Sequence, residues 1–201
     1  MDKAYVEQLL SRQDALQAEA SRLIADLDLV SRLARAGRPE QVGSFVSGLM
    51  VWRDIDIGAV SPGLSVDRAW DAMRPIVARP AVARVSYANE SGHLNTSGRP
   101  YDDRHYFVIH YETAAHDDWK IDITFWLTDG PREQRARALA MRRLPHETRI
   151  CILWLKACGI GCRHTPMKLA APISTTPCLS TMSVHLMSSM RTCASAVCQR
   201  V

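Results

Sequence analysis

Residues 119–127 read Trp-Lys-Ile-Asp-Ile-Thr-Phe-Trp-Leu, and their alternation constrains the fold more than any other feature of the chain. Successive side chains of a strand point to opposite faces. Trp119, Ile121, Ile123, Phe125 and Leu127 therefore share one wholly apolar face, and Lys120, Asp122, Thr124 and Trp126 share the other. Such a strand belongs to a sheet with one face packed on a core and the other left polar. No stretch of 18 apolar residues occurs, so the sequence offers no membrane span.

Other segments assemble around this strand. Residues 104–113 read as a second long strand, and the short connection 114–118 makes the two a hairpin. Residues 54–60 and 82–88 are further strands, and residues 40–44 form a short one ending in Gly-Ser. Ser65 is placed to cap a helix over 66–78. Residues 89–103 form a polar loop containing Gly92, Gly98 and Pro100, and Pro131 and Pro145 open helices over 132–143 and 146–157. The fold class is α/β (α+β), with a mixed β-sheet of about five strands backed by helices.

The chain begins with a long helical pattern over residues 3–36. Val6, Leu9, Leu16, Ala20, Leu23, Leu27 and Val30 recur at three- and four-residue spacing, with Gln13 as the one polar lapse. Gly37 followed by Arg38-Pro39 stops it. The stripe predicts one helix, or a helical hairpin, packed on its own domain; a homodimer through a short coiled-coil seam is the minority alternative.

Charge separates the body of the chain from its end. Every acidic residue lies at or before Glu147, and residues 1–147 carry a net charge of −2 although the whole chain is +4. The basic excess belongs to the C-terminal stretch, which also holds five of the six cysteines and half of the eight methionines. Cys158-x3-Cys162-x-His164 resembles half a zinc site without a second knuckle. The expected organisation is an N-terminal helical segment over 1–36, a domain over 37–157 and an irregular, poorly ordered tail over 158–201. With no signal-peptide pattern after Met1-Asp2-Lys3, the expected location is the cytoplasm.

The chemistry lies in residues 42–57. Asp54 and Asp56 alternate with Ile55 and Ile57, so both carboxylates leave one face of a strand while the isoleucines anchor the other. Their Cα atoms stand roughly 6.5–7 Å apart, close enough for both to reach one divalent cation. Without a cation, two adjacent carboxylates repel and one pKa rises. Asp122, on the polar face of its own strand, joins them if the two strands are neighbours. Gly43 lets backbone approach a phosphate closely, and Ser44 offers a hydroxyl to anionic oxygens.

The pattern hydrophobic-Gly-Ser, nine residues, then Asp-hydrophobic-Asp-hydrophobic resembles the signature of the nucleotidyltransferase superfamily that includes DNA polymerase beta, across residues 40–127. The resemblance implies a mixed sheet backed by helices. It implies transfer of a nucleoside monophosphate from an NTP to a hydroxyl acceptor, with release of pyrophosphate and two Mg2+ ions as cofactors. It implies phosphate binding by Gly43 and Ser44, and metal binding by Asp54, Asp56 and Asp122, with Asp122 also helping to activate the acceptor.

Lys120 shares the face of Asp122 and is a candidate phosphate contact, against the plainer reading of a solvated lysine or a local ion pair. Arg53 points to the opposite face and is left out of the site. His110 and Glu112 read first as surface residues, and residues 101–104 end a loop able to line an acceptor pocket. Arg132, Arg135, Arg137, Arg142 and Arg143 read first as a solvated helical face, with nucleic-acid contact the alternative. A body at −2 suits a small cationic acceptor such as an aminoglycoside better than a long nucleic acid. The other readings are an enzyme of toxin or antitoxin type acting on tRNA or protein, and a catalytically idle module of the same fold.

Overall fold

A computed structural model describes residues 2–159. The expected irregular tail and the Cys162–His164 half-site fall, but for two residues of the former, outside the described residues. The element order is α1 (Lys3–Asp26), α2 (Leu29–Leu33), β1 (Arg38–Gln41), α3 (Gly43–Ser47), β2 (Asp54–Val60), α4 (Val66–Val77), β3 (Val82–Glu90), β4 (Arg104–Glu112), β5 (Asp118–Trp126), α5 (Gln134–Arg142) and α6 (His146–Ala157). Two compact units divide the chain, Met1–Leu144 and a second from Pro145 onward. In the second, α6 begins after Pro145 as the proline predicts, with Ile152 and Leu153 buried.

The first unit is an α+β fold with a five-stranded mixed sheet in the order β1-β2-β5-β4-β3. The β2–β5 pairing is parallel and the other three are antiparallel. Alternation along β2 buries Ile55, Ile57 and Ala59, and along β5 it buries Trp119, Ile121, Ile123 and Phe125. These side chains form one core with Leu16, Ala20 and Leu23 of α1, Leu29 and Leu33 of α2, and Met73 and Ile76 of α4. Each fully buried Leu, Ile, Met or Phe side chain among them contributes about 1.5–3 kcal/mol. The opposite face of the sheet carries Asp54, Asp56, Lys120 and Asp122.

Local chemistry accounts for the boundaries, including those the sequence misreads. Ser65 accepts a hydrogen bond from the Arg68 N–H and caps α4. Of the two forms predicted for residues 3–36, one helix or a helical pair, the chain takes two helices, parted at Asp28, whose φ of 49° lies in the left-handed region where a helix cannot continue. The break rotates the chain, so Leu29 and Leu33 turn inward while Val30 is 43% exposed. Gln13, the polar lapse, is buried and donates to the Asp14 carboxylate.

The predicted strand over 40–44 is β1, shifted to Arg38–Gln41; Gly43 and Ser44 instead open α3. Pro39 is tolerated because β1 is an edge strand. The 82–88 strand runs on to Glu90, where the Arg104–Glu90 ion pair secures its end. Pro131 does not open α5, which starts at Gln134 after Glu133.

Candidate active site

Parallel pairing of β2 with β5 sets Asp56 beside Asp122 and Asp54 beside Lys120 in register. Because the strands are parallel and the side-chain period is two, all four side chains leave the same face. Asp54, Asp56 and Asp122 each offer a carboxylate oxygen, and these atoms all lie within 4.8 Å of one another. It is the one group of three potential metal ligands among the described residues.

The surroundings polarise this cluster. Tyr106 Oη donates to Asp122 Oδ2 at 2.8 Å, and Lys120 Nζ donates to the same oxygen at 2.6 Å. Lys120 Nζ also stands 3.6 Å from Asp54 Oδ1. Asp122 Oδ1, Asp54 Oδ1 and Ser44 Oγ are buried and make no hydrogen bond. Burial pushes the Asp54 carboxyl above its ordinary value, with the Asp122 charge adding to the rise and Lys120 opposing it. Burial alone would lower the Lys120 pKa, but the hydrogen bond to Asp122 and the charges of Asp54 and Asp56 raise it overall. Burial, followed by the Asp122 charge, raises Tyr106 far above the ordinary tyrosine range, so it stays a neutral donor.

This donor set fits a hard divalent cation. It offers carboxylate oxygens only, from two strands; Asp122 Oδ1 is buried without a hydrogen-bond partner, and buried Asp54 Oδ1 meets only the Lys120 ammonium at 3.6 Å. A buried, unpartnered carboxylate oxygen is costly unless a cation or donor meets it.

Gly43 fits against the same carboxylates. Its φ is +66°, and a Cβ built on it would lie 2.0 Å from Asp56 Oδ2. Only glycine lets the backbone come this close while holding that conformation. The Val42 N–H donates to the Asp56 carbonyl at 3.0 Å, which fixes the Gly43–Ser44 turn at the level of the aspartates.

A cleft of about 330 Å³ opens along this face. Asp56, Asp122 and Tyr106 line one part of it, and Arg104, Trp126, Arg132 and Arg135 another. Gly58 lets the Trp126 indole lie close over β2, since a Cβ there would be 3.0 Å from Nε1. The guanidiniums of Arg132 and Arg104 stack on that indole at 4.4 and 5.3 Å from its centre.

The structure brings Asp54, Asp56, Asp122 and Lys120 into contact range, and Gly43 against Asp56. Arg53 lies apart, as its face requires, pairing with Glu19 and Asp117. His110 bonds Asp118 and Arg84, and Glu112 bonds His116, so neither reaches the carboxylates. Of residues 101–104, Arg104 lines the cleft and the Tyr101 carbonyl accepts from Arg132. The basic cluster of residues 132–143 divides: Arg132 and Arg135 line the cleft, whereas Arg137 pairs with Glu133. Tyr106 was missed. Its signal is present, because it alternates with the buried His105 and Phe107, but its partner appears only once β4 and β5 are in register.

No protein-family model and no curated protein matches this sequence. Among solved structures it is similar to a cytoplasmic RNA terminal U-transferase, at 14% identity and a TM-score of 0.48, covering 77% of this chain and 43% of that one. It is similar to Cid1 in complex with the UTP analogue UMPNPP at the same identity and TM-score, covering 77% of this chain and 46% of that one. The chain thus spans less than half the length of these structures. At this distance nothing of their chemistry carries over to it.

Proposed function

We propose that this protein is a metal-dependent nucleotidyltransferase, moving a nucleoside monophosphate from an NTP to a hydroxyl acceptor and releasing pyrophosphate. The observation that carries this reading is the convergence of three carboxylates from two parallel strands with a glycine packed against one of them. Asp54, Asp56 and Asp122 would hold divalent cations, Mg2+ by expectation, which supply Lewis-acid activation and charge neutralisation when bound.

The chain's own residues have separable parts in the reaction. The acceptor oxygen forms a bond to the α-phosphorus, the bond from that phosphorus to the bridging oxygen breaks, and pyrophosphate leaves. Asp122 Oδ2 is held by Tyr106 and Lys120, which leaves Oδ1 to accept the proton of the attacking hydroxyl. Ser44 Oγ, buried without a partner, is the hydroxyl that donates to a phosphate oxygen beside Gly43. Lys120 serves first as a counter-charge to Asp122 and Asp54, and its ammonium is the nearest cation for a phosphate entering between them. The net −2 of residues 1–147 suits a small cationic acceptor such as an aminoglycoside.

One observation favours a second reading, a catalytically idle module of the same fold. Lys120 already neutralises part of the cluster that a metal would neutralise. A thermal-shift series with ATP, CTP, GTP and UTP, each with and without Mg2+, separates the two, because a ligand that binds the native state raises its stability by mass action. The enzyme reading expects a Mg2+-dependent shift that disappears in Asp54→Ala/Asp56→Ala. No shift with any nucleotide would leave the idle module.

A further inference from the structure

Arg132 and Arg135 differ from the other ordered cations near the cleft. Arg104 is neutralised by Glu90 at a contact that also includes a 2.7 Å hydrogen bond, and Arg137 by Glu133. Arg132 and Arg135 have no carboxylate within 4.0 Å among the described residues, although both line the cleft that holds Asp56 and Asp122. Their hydrogen bonds go to uncharged oxygens. Arg132 donates to the Tyr101 and Thr128 carbonyls and the Thr128 hydroxyl, and Arg135 donates to the Gln41 carbonyl at 3.0 Å. Neutral acceptors hold a guanidinium in place without pairing its charge directly, and the Asp102 and Asp129 charges act on Arg132 only from beyond ion-pair distance.

Arg132 is also held in one orientation. Its Cζ lies 4.4 Å from the centre of the Trp126 ring, and that ring can sit there because residue 58 is glycine. Its Nε–H is buried and makes no hydrogen bond. A buried donor left unmade is expensive, and a fixed guanidinium with a spare donor is a preorganised partner for an oxyanion. Gln41, which anchors Arg135, immediately precedes the Val42-Gly43-Ser44 turn.

We propose that Arg132 and Arg135 form an anion site in the cleft that Asp56 and Asp122 also line, and that it takes a phosphate group of the bound substrate. The proposal rests on the nucleotidyltransferase reading, in which every substrate complex contains phosphate. Its charge logic is complementary: the carboxylates hold the cationic partners, and the arginines of the same cleft hold the anion. The same chemistry has two sources, the polyphosphate of the NTP or a phosphate on the acceptor.

The test measures binding by calorimetry on the full chain and on Arg132→Gln, Arg135→Ala and the double variant. Gln at 132 keeps a side-chain donor for the carbonyls, and Arg135 is exposed, so the fold is preserved in at least the second variant. Four probes are used: inorganic tripolyphosphate without metal, Mn2+ alone, ATP with Mg2+, and a short oligoribonucleotide with and without a 5′ phosphate. Loss of two charge-assisted contacts predicts that tripolyphosphate binds at least about tenfold more weakly to the double variant. Mn2+ affinity should stay within about twofold, since the carboxylates are untouched.

If affinity for ATP with Mg2+ falls in parallel, the phosphate belongs to the nucleotide. If ATP affinity holds and the 5′-phosphorylated oligoribonucleotide loses its advantage, it belongs to the acceptor, and a cationic acceptor is then excluded. Unchanged affinity for every phosphate probe overturns the proposal. Failure of the wild type to bind Mn2+ would instead count against the carboxylate reading, while tripolyphosphate would still judge the arginines.

Discussion

Gly43 is the residue on which the site's geometry is most sharply tested. Its left-handed backbone costs an alanine about 1 kcal/mol, and a Cβ would also lie 2.0 Å from Asp56 Oδ2. The carboxylate must then turn away from Asp54 and Asp122. Gly43→Ala is therefore expected to lower stability only modestly, by about 1–2 kcal/mol in urea titration, and to weaken Mn2+ binding by more than tenfold. Retained metal affinity would mean that Asp56 is no ligand. The Asp-x-Asp alternation, the third aspartate and the Gly-Ser turn were all legible in the sequence, because each is a property of a few adjacent residues. Tyr106 shows in the sequence only as an alternating strand residue, and Arg132 and Arg135 only as members of a basic cluster with nucleic-acid contact as one alternative, because their place at the cleft depends on strand register and on the position of α5. For the same reason Lys120 read equally well as a phosphate contact or an ion-pairing group until its distances to Asp122 and Asp54 were known.

At the scale of elements, the long alternating strands and the Ser65-capped helix were readable from period and cap, and the segments under six residues were not. Residues 38–47 hold a four-residue strand and a five-residue helix, both too short to display a period. Long elements are also where a buried polar group ties one segment to another. His105 of β4 is 3% exposed; its Nε2–H donates to the Leu64 carbonyl just before α4, and its Nδ1 accepts from Tyr87 Oη of β3. Burial lowers its pKa below the ordinary 6.5, and the bond to Leu64 offsets this only in part. In the window between the folded value and 6.5 the unfolded chain binds the proton and the folded chain does not. Stability therefore rises with pH through that window and falls as pH drops below about 6.5. Asp54, whose pKa is raised, acts in the opposite sense at lower pH, so the wild type alone does not isolate the histidine. The urea midpoint compared at pH 7.5 and 5.5 for wild type and His105→Gln should show the decline on acidification in the wild type and a smaller one in the variant.

For the whole molecule, the carboxylates place a like-charge cost at the junction of two strands that are far apart in the chain and central in the sheet. Burial makes the charged Asp54 unfavourable, and Asp122 adds repulsion that Lys120 relieves in part. A cation that bridges β2 to β5 would convert this cost into stabilisation of the entire fold, since the ligands exist together only in the folded state. Two consequences of opposite sign follow for Asp54→Asn. In chelator, removal of a buried charge should leave the variant as stable as wild type or more so, a trade common at sites built for function. In saturating Mg2+ or Mn2+ the wild type should gain about 2.7 kcal/mol at a hundredfold excess over Kd. For a chain of this length that is a rise in Tm of roughly 5–10 °C, and the variant should gain much less. The order of the two proteins therefore reverses between chelator and metal. A thermal melt of both in each condition checks it, and a wild type that melts at one temperature with and without divalent cation would remove the metal from this site altogether.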